Sequence, residues 1–348
     1  MKALFIGGTG TISTAISKKL IEAGHELWLI NRGNRNHTLP EGYHTIIADI
    51  EDEDKVSHLL EGHHFDVVTD FIAFHPEQLE RDYRLFRDKT KQFIYISSAS
   101  AYQKPLSDYL IDEGTTLANP YWQYSRDKIA GEELLMKLYR EEGFPVTIVR
   151  PSHTYSEGSV PVAFHGNKGS YQVVKRIKEG KPVIIHGDGS SLWTVTNSRD
   201  FAKGFIGLMG NVHALGQAVH ITSDETLTWN QIHQAIADAL GVPFKPYYVS
   251  TQFLVSCSLR EDGTRVLDTD GMPGDKSNSV VFDNSRLKRL VPGFAAEIRF
   301  DQGVKETLAY IESHPECQVE DPEFDEWCDR VIAAQEEALQ VVRRGNQK

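Results

Sequence analysis

The first 150 residues alternate between short apolar runs and stretches with helical periodicity. The apolar runs occur at residues 3–6 (ALFI), 27–30 (LWLI), 45–48 (TIIA), 65–72 (FDVVTDFI), 92–96 (QFIYI) and 146–149 (VTIV). Continuous apolar runs of this length are typical of strands buried on both faces. Helices are predicted from about 12 to 23, near 52–60 and 76–87, and over 121–142. Strands that alternate with helices imply parallel βαβ units, so we predict an α/β fold with a Rossmann-type doubly wound sheet.

The pattern changes after residue 151, where Gly, Ser, His and Pro become frequent. Short helices are predicted near 170–179, 199–209 and 228–240, and strands at 182–186 and 218–222. Residues 250–280 are polar and rich in Gly and Asp, so we predict loops there. We expect a dinucleotide-binding domain over 1–160, with its sheet completed by later segments such as 182–222. Residues 161–348 should form mainly a smaller α/β substrate domain and the C-terminal helices.

Charge and composition exclude several classes of protein. The chain has 348 residues, with 49 acidic against 37 basic side chains and a net charge of −12. Nucleic-acid binders normally carry a basic surface, so a nucleic-acid partner is not expected. No apolar run approaches the length of a membrane span, and the first residues are more typical of a strand than of a signal peptide. Three widely spaced cysteines suggest neither a disulfide framework nor a metal site, and we expect a reducing, cytoplasmic setting.

A glycine-rich loop follows the first predicted strand. Its sequence, GGTGTIS, begins at Gly7 and leads into the first predicted helix. At this place in a βαβ unit, a dinucleotide pyrophosphate meets the helix N-terminus. Gly7 would permit the tight turn, and Gly10 would let the backbone approach the phosphates, because a Cβ would occupy their space. Ser13 stands where the pattern has its third glycine.

The residues after the second and third strands concern the adenosine half of a dinucleotide. An acidic residue after the second strand favours NAD, whereas an arginine favours the 2′-phosphate of NADP. The chain has Asn31-Arg32 there, with Arg35 close by and no carboxylate, which slightly favours NADP. The alternative is that NAD binds and Arg32 stacks on the adenine. Asp49 and Ile50 could hold and cover the adenine, or Asp49 could cap the next helix.

A YxxxK pattern supplies the candidate acid–base chemistry. Tyr124 and Lys128 lie four residues apart, so they share one face of the long predicted helix. A lysine ammonium beside a phenol favours the phenolate, which would let Tyr124 act as a general acid or base. Lys128 could also hold the nicotinamide ribose. Ser98, at the carboxyl end of the fifth strand, could donate a hydrogen bond to the reacting substrate oxygen.

Together, the glycine loop, the segment ISSASAY and the helix YSRDK resemble the extended short-chain dehydrogenase/reductase superfamily. Within it, the chain is most similar to the NAD-dependent epimerase/dehydratase family of nucleotide-sugar enzymes, over about residues 1–290. The resemblance places the catalytic groups on Ser98, Tyr124 and Lys128. It implies cofactor contacts from the following residues: Gly7, Gly10, Thr11, Ile12, Asn31, Arg32, Asp49, Ile50, Phe71, Ile72, Ala73, Pro151 and His153. We expect substrate contacts from Ser100, Tyr102 and Trp193.

The sequence departs from this family at positions that concern the substrate. Ala99-Ser100 replace the Asp-Glu pair of the dehydratases, which disfavours elimination of water. Leu192-Trp193 and Met272-Pro273 stand where nucleotide-sugar enzymes usually carry arginines. Guanidinium groups suit a diphosphate, whereas Trp193 is better suited to stacking on a sugar ring. We therefore expect either a sugar or polyol without a nucleotide, or a substrate whose phosphates are bound differently.

These observations predict an NAD(P)-dependent epimerase acting on a sugar or nucleotide sugar, by Tyr-assisted hydride transfer at a carbinol carbon. The first alternative is an NADP-dependent ketoreductase or dehydrogenase that releases its product, because both reactions use the same groups. The alternative from another class is an RNA-binding or regulatory protein with a dinucleotide fold. A homodimer is common in the superfamily, and the helices near 76–87 and 121–142 would serve it.

Overall fold

The computed structural model describes residues 1–34 and 38–346, and the chain folds into two compact units. The first unit comprises Met1–Tyr155, Thr194–Asp224 and Phe282–Glu297. The second comprises Ser156–Trp193, Glu225–Val281 and Ile298–Lys348. Each unit is therefore assembled from segments that are distant in sequence.

The first unit is built around a seven-stranded parallel sheet with the order β12-β7-β5-β4-β1-β2-β3. The strands of the chain are β1 (Lys2–Ile6), β2 (Glu26–Asn31), β3 (Tyr43–Ile47), β4 (Val67–Asp70), β5 (Phe93–Ile96), β6 (Leu110–Ile111), β7 (Val146–Pro151), β8 (His153–Tyr155), β9 (Val183–His186), β10 (Leu192–Trp193), β11 (Val195–Asn197), β12 (Ala218–Ile221), β13 (Leu227–Thr228), β14 (Pro246–Val249) and β15 (Val281–Phe282). The predicted Rossmann-type fold is confirmed. Among the later segments, β12 joins this sheet, whereas β9 pairs with β14 in the second unit.

Helices cover both faces of the sheet, because its strands are apolar on both sides. The helices are α1 (Ser13–Glu22), α2 (Glu53–Leu59), α3 (Pro76–Phe86), α4 (Gln123–Glu142), α5 (Tyr171–Lys178), α6 (Ser198–Leu208), α7 (Trp229–Leu240), α8 (Thr251–Cys257), α9 (Ser285–Leu290), α10 (Phe300–Ser313) and α11 (Pro322–Gly345). Alternate residues of β1 enter different cores. Ala3 and Phe5 pack with α1, α6 and α9, while Leu4 and Ile6 pack with α2, α3 and α4.

The sheet order reverses between β1 and β4, whose carboxyl ends are neighbours. The backbone amide of Phe71, just after β4, donates to the carbonyl oxygen of Ile6 at 3.0 Å. In open α/β sheets, ligands bind outside the carboxyl ends of the strands at such a reversal. The topology therefore places the ligand crevice where the glycine loop follows β1.

The second unit contains the short pairs β9–β14 and β10–β13, with α5, α7, α8, α10 and α11. Trp193 stacks on Trp229 with ring centroids 5.1 Å apart. The buried Arg176 of α5 pairs with Asp325 and Asp329 of α11, each at 2.7 Å, so the C-terminal helix is held by charge as well as by apolar packing.

The prediction of loops throughout 250–280 was wrong at both ends of that range. Ser250 caps α8 by accepting the backbone amide of Phe253, and Leu254 is buried. A single π-helical turn covers Met272–Lys276. The polar composition obscured a short helix whose only fully buried apolar anchor is Leu254.

Candidate active site

Three glycines of the loop after β1 face three different directions. Gly7 has φ +80°, and a Cβ there would lie 2.5 Å from Cγ2 of Ile72. A Cβ on Gly8 would lie 2.4 Å from Cδ2 of the buried Leu29. At Gly10, the nearest atom to a Cβ would be the Ser13 hydroxyl at 3.5 Å. Gly7 and Gly8 are thus required by the protein's own packing, whereas the space beside Gly10 is open.

Ser13 replaces the third glycine of the pattern and closes the loop on itself. Its buried hydroxyl donates to the carbonyl oxygen of Gly7 at 2.9 Å and accepts the amide of Gly10 at 2.8 Å. Helix α1 begins here without an acidic residue in its first turn and without a side-chain cap. A helix N-terminus with these properties favours a phosphate, since its amides and dipole present positive charge.

The ends of β2 and β3 hold the residues predicted to contact the adenosine. Asn31 accepts the amide of Gly33 at 2.8 Å, which turns the chain after β2, and Arg32 is exposed. Arg35 lies outside the described residues. Asp49 is exposed and Ile50 is buried. Asp52, which accepts the amide of Lys55, caps α2, so the alternative role of Asp49 as the helix cap is wrong.

The segment after β4 is shaped by a carboxylate that sequence reasoning missed. Asp70 is buried and accepts the amides of Ile72 at 2.6 Å and Ala73 at 2.8 Å. Phe71 packs edge-on against Phe5, and the side chain of Ile72 is 41% exposed. Asp70 therefore fixes the turn that presents Ile72 next to the glycine loop.

Lys128 joins α4 to two strand ends. Its buried ammonium donates to the carbonyl oxygens of Ala73 at 2.7 Å and Ile96 at 2.9 Å. Burial lowers the pKa of Lys128 to about 8, although Asp70 and Glu132 oppose the shift. The ammonium also lies 5.7 Å from the centroid of the Tyr124 ring.

Tyr124 is partly buried one turn before Lys128 on the same face of α4. Its ring packs against Trp122 with centroids 4.8 Å apart and lies 6.2 Å from the ring of Phe74. The two aromatic neighbours restrict the phenol ring. The predicted pairing of a phenol and a lysine on one helix face is therefore present in the structure.

Ser98 follows β5 and is partly exposed, with its hydroxyl 2.9 Å from that of Ser100. Ser100 itself is buried, and its hydroxyl also accepts a hydrogen bond from Ser125 at 2.8 Å. Tyr102 is fully buried, with its phenol oxygen 3.0 Å from Nδ1 of His220. Direct substrate contact predicted for Ser100 and Tyr102 disagrees with this burial, because their hydroxyls are bonded inside the first unit.

Three predicted site residues remain, at the end of β7, in β8 and in the second unit. Pro151 is buried at the end of β7, and His153 is partly buried in β8, which pairs with β11. Trp193 belongs to the second unit, where its ring stacks on Trp229 and the ammonium of Lys276 lies 5.3 Å from its centroid. One face of this indole is therefore already covered by a second indole.

A buried ion pair behind Ser98 was also missed from the sequence. Glu132 accepts the Ser97 hydroxyl and pairs with Arg150, whose Nε lies 2.9 Å from Oε1 of Glu132. The signal was present: Glu132 follows Lys128 by four residues, so Tyr124, Lys128 and Glu132 share one helix face. Glu132 thereby ties α4 to the ends of β5 and β7.

The residues present fit a nicotinamide dinucleotide. The carboxyl ends of β1 and β4 carry a glycine loop with open space at Gly10 and an uncapped helix N-terminus. Ile72, 41% exposed beside the glycine loop, is an apolar group suited to covering a ring, whereas the predicted cover Ile50 is buried in the core. Among the described residues, no group of three His, Cys, Asp or Glu side chains could hold a metal ion, and no helix could cross a membrane.

Comparisons with known proteins agree with this fold. The family model described as "NAD dependent epimerase/dehydratase family" matches residues 3–221. The chain is 24% identical to a 2'-dehydrokanamycin reductase of Streptomyces kanamyceticus, with 84% of this chain and 80% of that protein covered. It is 28% identical to the chloroplast stem-loop binding protein of 41 kDa b of Arabidopsis thaliana, covering 70% of this chain and 64% of that protein.

Two solved structures show the same fold. An epimerase from Methanothermobacter thermautotrophicus has a TM-score of 0.71 at 17% identity, covering 90% of this chain and 93% of that chain. UDP-glucuronic acid 4-epimerase from Bacillus cereus, solved with NAD, has a TM-score of 0.68 at 18% identity, covering 90% and 99%. With the family match spanning well over half of its length, the chain belongs to the NAD dependent epimerase/dehydratase family.

Proposed function

We propose that this protein is an NAD(P)-dependent epimerase that acts at a carbinol carbon of a sugar or nucleotide sugar. The observation that carries the proposal is the convergence of Tyr124, Lys128 and Ser98. Lys128 bonds the carbonyl oxygen at the end of β5, and Ser98 follows that same strand end. Lys128 thus links the helix face that carries Tyr124 to the strand end near Ser98.

Each side chain has a defined part in this proposal. Tyr124 accepts the proton of the substrate hydroxyl and returns it, and the positive charge of Lys128 lowers the cost of the phenolate. Ser98 donates a hydrogen bond to the same oxygen as it gains carbonyl character and again as it regains a proton. A nicotinamide dinucleotide, when bound, supplies hydride exchange with the carbon.

The dinucleotide would be held by the residues at the carboxyl ends of β1 to β4. Gly10 leaves room for its phosphates, and the backbone of Thr11 and Ile12 at the N-terminus of α1 would hold them. Arg32 favours the 2′-phosphate of NADP, whereas NAD is the cofactor named for the family. Lys128 keeps a third ammonium hydrogen, beyond its two carbonyl partners, for a ribose hydroxyl.

The experiment combines native mass spectrometry with a substrate panel. Purified protein is denatured, any released dinucleotide is identified, and UDP-glucose and UDP-glucuronic acid are then tested by NMR for inversion at C4. A dinucleotide that co-purifies and an inverted product support epimerisation. Tyr124→Phe should lose about 10²- to 10⁴-fold in rate, the usual value of an acid–base group.

Tyr121→Phe is the matched control, because Tyr121 is exposed just before the same helix and should leave the rate unchanged. Equal rates in the two variants would refute the role of Tyr124.

We also expect the protein to be a homodimer. Light scattering of the protein as it elutes from a size-exclusion column measures the mass that decides this.

A keto-sugar reductase is the second candidate, favoured by the similarity to the 2'-dehydrokanamycin reductase over most of both chains. It predicts an empty purified protein that binds NADPH reversibly and oxidises it with a keto sugar. If the protein binds neither NADH nor NADPH at millimolar concentration, both the epimerase and the reductase proposals are refuted. A salt-dependent mobility shift with RNA would then support the RNA-binding alternative, against the net charge of −12.

A further inference from the structure

Three serine hydroxyls form a continuous chain from the inside of the first unit to the ligand end of the sheet. Ser125, on α4, is fully buried and donates to the hydroxyl of Ser100 at 2.8 Å. The Ser100 hydroxyl lies 2.9 Å from that of Ser98. These hydrogen bonds connect Ser125, the residue after Tyr124, to Ser98, the second residue after β5.

The 2.9 Å contact between the Ser98 and Ser100 hydroxyls allows either one to donate. Since Ser100 already accepts the proton of Ser125, the Ser100 proton is assigned to the oxygen of Ser98. The backbone amide of Ser100 donates to that same oxygen at 3.1 Å. Both lone pairs of Ser98 are then occupied, since a hydroxyl oxygen has two. The hydroxyl proton of Ser98 is then directed away from the other two serine hydroxyls.

Ser100 is held in place by its backbone as well. The side-chain amide of Asn119 donates to the carbonyl oxygen of Ser100 at 2.8 Å, and both residues are buried. A hydroxyl that is held by several neighbouring groups undergoes little reorganisation when charge develops on a nearby oxygen. The Ser100 hydroxyl is therefore a rigid support for the Ser98 hydroxyl.

We infer that Ser125 and Ser100 are positioning residues that make Ser98 an obligate hydrogen-bond donor to the substrate oxygen. This role rests on the proposed function, in which Ser98 contacts that oxygen. Ser98 cannot then accept the substrate proton, so all proton transfer falls to Tyr124. Ser125 acts on the substrate only through Ser100 and Ser98. By orienting the Ser98 donor, it stabilises the stage of the reaction at which the substrate oxygen carries the most negative charge.

A double-mutant cycle tests this dependence on Ser98. With the substrate of the UDP-sugar panel that is turned over, or with NADPH and a keto sugar, Ser98→Ala should lower kcat about 10²-fold or more, the usual cost of an oriented donor. Ser125→Ala should lower kcat about 3- to 10-fold, because the donor is loosened rather than removed. KM for the dinucleotide should stay unchanged in both.

In the Ser98→Ala background, Ser125→Ala should have no further effect on kcat. Ser125→Thr, which keeps the hydroxyl, should recover most of the lost rate. Ser258→Ala is the matched control, because Ser258 is a fully buried serine of the second unit that also bonds a hydroxyl, that of Thr269. Equal losses from Ser125→Ala in both backgrounds would overturn the inference.

Neutron diffraction from deuterated crystals provides a readout that does not need turnover. The deuteron of Ser100 should point to the oxygen of Ser98, and that of Ser98 should point away from Ser100. A Ser98 deuteron directed at Ser100 overturns the inference even if the enzyme is active. If no substrate of the panel reacts, the proposed function fails while the neutron map still decides the direction of the chain.

Discussion

The three glycines after β1 allow packing and cofactor binding to be separated in one loop. Gly10→Ala should not lower the stability of the protein, because its Cβ would meet only the Ser13 hydroxyl at 3.5 Å, an ordinary contact. A Gly→Ala change at an unstrained position alters stability by roughly 0.4–1 kcal/mol, in the stabilising direction. The same Cβ would occupy the space that a dinucleotide phosphate needs.

The expected loss of affinity follows from the hydrogen bonds that a phosphate would lose. A hydrogen bond to a charged group contributes about 1.5–3 kcal/mol. Displacing the phosphate from one such amide should therefore weaken NADPH or NADH binding by roughly 10- to 150-fold. Isothermal titration calorimetry measures the affinity, and urea unfolding measures the stability.

Gly7→Ala and Gly8→Ala are the matched controls, and each should lose stability. In Gly7→Ala, the alanine would adopt the left-handed conformation at φ +80°, which costs about 1–2 kcal/mol, and its Cβ would displace Ile72. Gly8→Ala would push on the buried Leu29, an overpacking that costs roughly 1–3 kcal/mol. If Gly10→Ala binds both dinucleotides as the unaltered protein does, the phosphates do not lie beside Gly10, and the argument from the open space is refuted.

Three further predictions concern charge. Burial lowers the pKa of Lys128 to about 8, so its positive charge is present below that pH. The rate that depends on Tyr124 should therefore fall as the pH rises through about 8. In Lys128→Arg the side chain stays charged, so a pH–rate profile from about 6 to 10 should lack this fall. Arg32→Glu should weaken NADPH binding about tenfold or more while leaving NADH binding little changed, and equal losses for both dinucleotides would contradict the 2′-phosphate contact. Glu132→Gln should cost about 3–5 kcal/mol in urea unfolding, because it leaves the buried Arg150 guanidinium without its carboxylate. Glu53→Gln, at a partly exposed carboxylate whose partner is also an arginine, should cost less than about 1 kcal/mol. Similar costs for the two variants would show that the buried pair is not needed.

Local patterns in the sequence were sufficient for the first unit's fold and for the position of its glycine loop. Apolar runs identified β1 to β5 and β7 of the central sheet, though not the short β6, and the spacing of Tyr124 and Lys128 placed both on one face of α4. Such patterns depend on neighbours within about one helical turn, or on alternation along one strand. They are therefore readable without knowledge of distant partners.

The burial of Ser100 and Tyr102 could not be predicted in this way. Both lie in the segment after β5, where a sequence pattern suggests contact with a ligand, yet their hydroxyls bond Ser125 and His220. Ser125 is 25 residues away from Ser100, and His220 is 118 residues away from Tyr102. A partner at such a distance is set by the packing of α4 on the sheet and by the pairing of β12 with β7, which no local pattern contains.

The sequence by itself determined the class of fold, the glycine loop and the phenol–lysine pair, because each arises from short-range periodicity. Only the tertiary structure decided which side chains face the crevice and which support it. Asp70 shapes the turn at Ile72, and Glu132 joins α4 to two strands, because burial makes an unpaired charge costly and so requires a partner. Burial and pairing depend on the whole chain, and for that reason they appear only once it is folded.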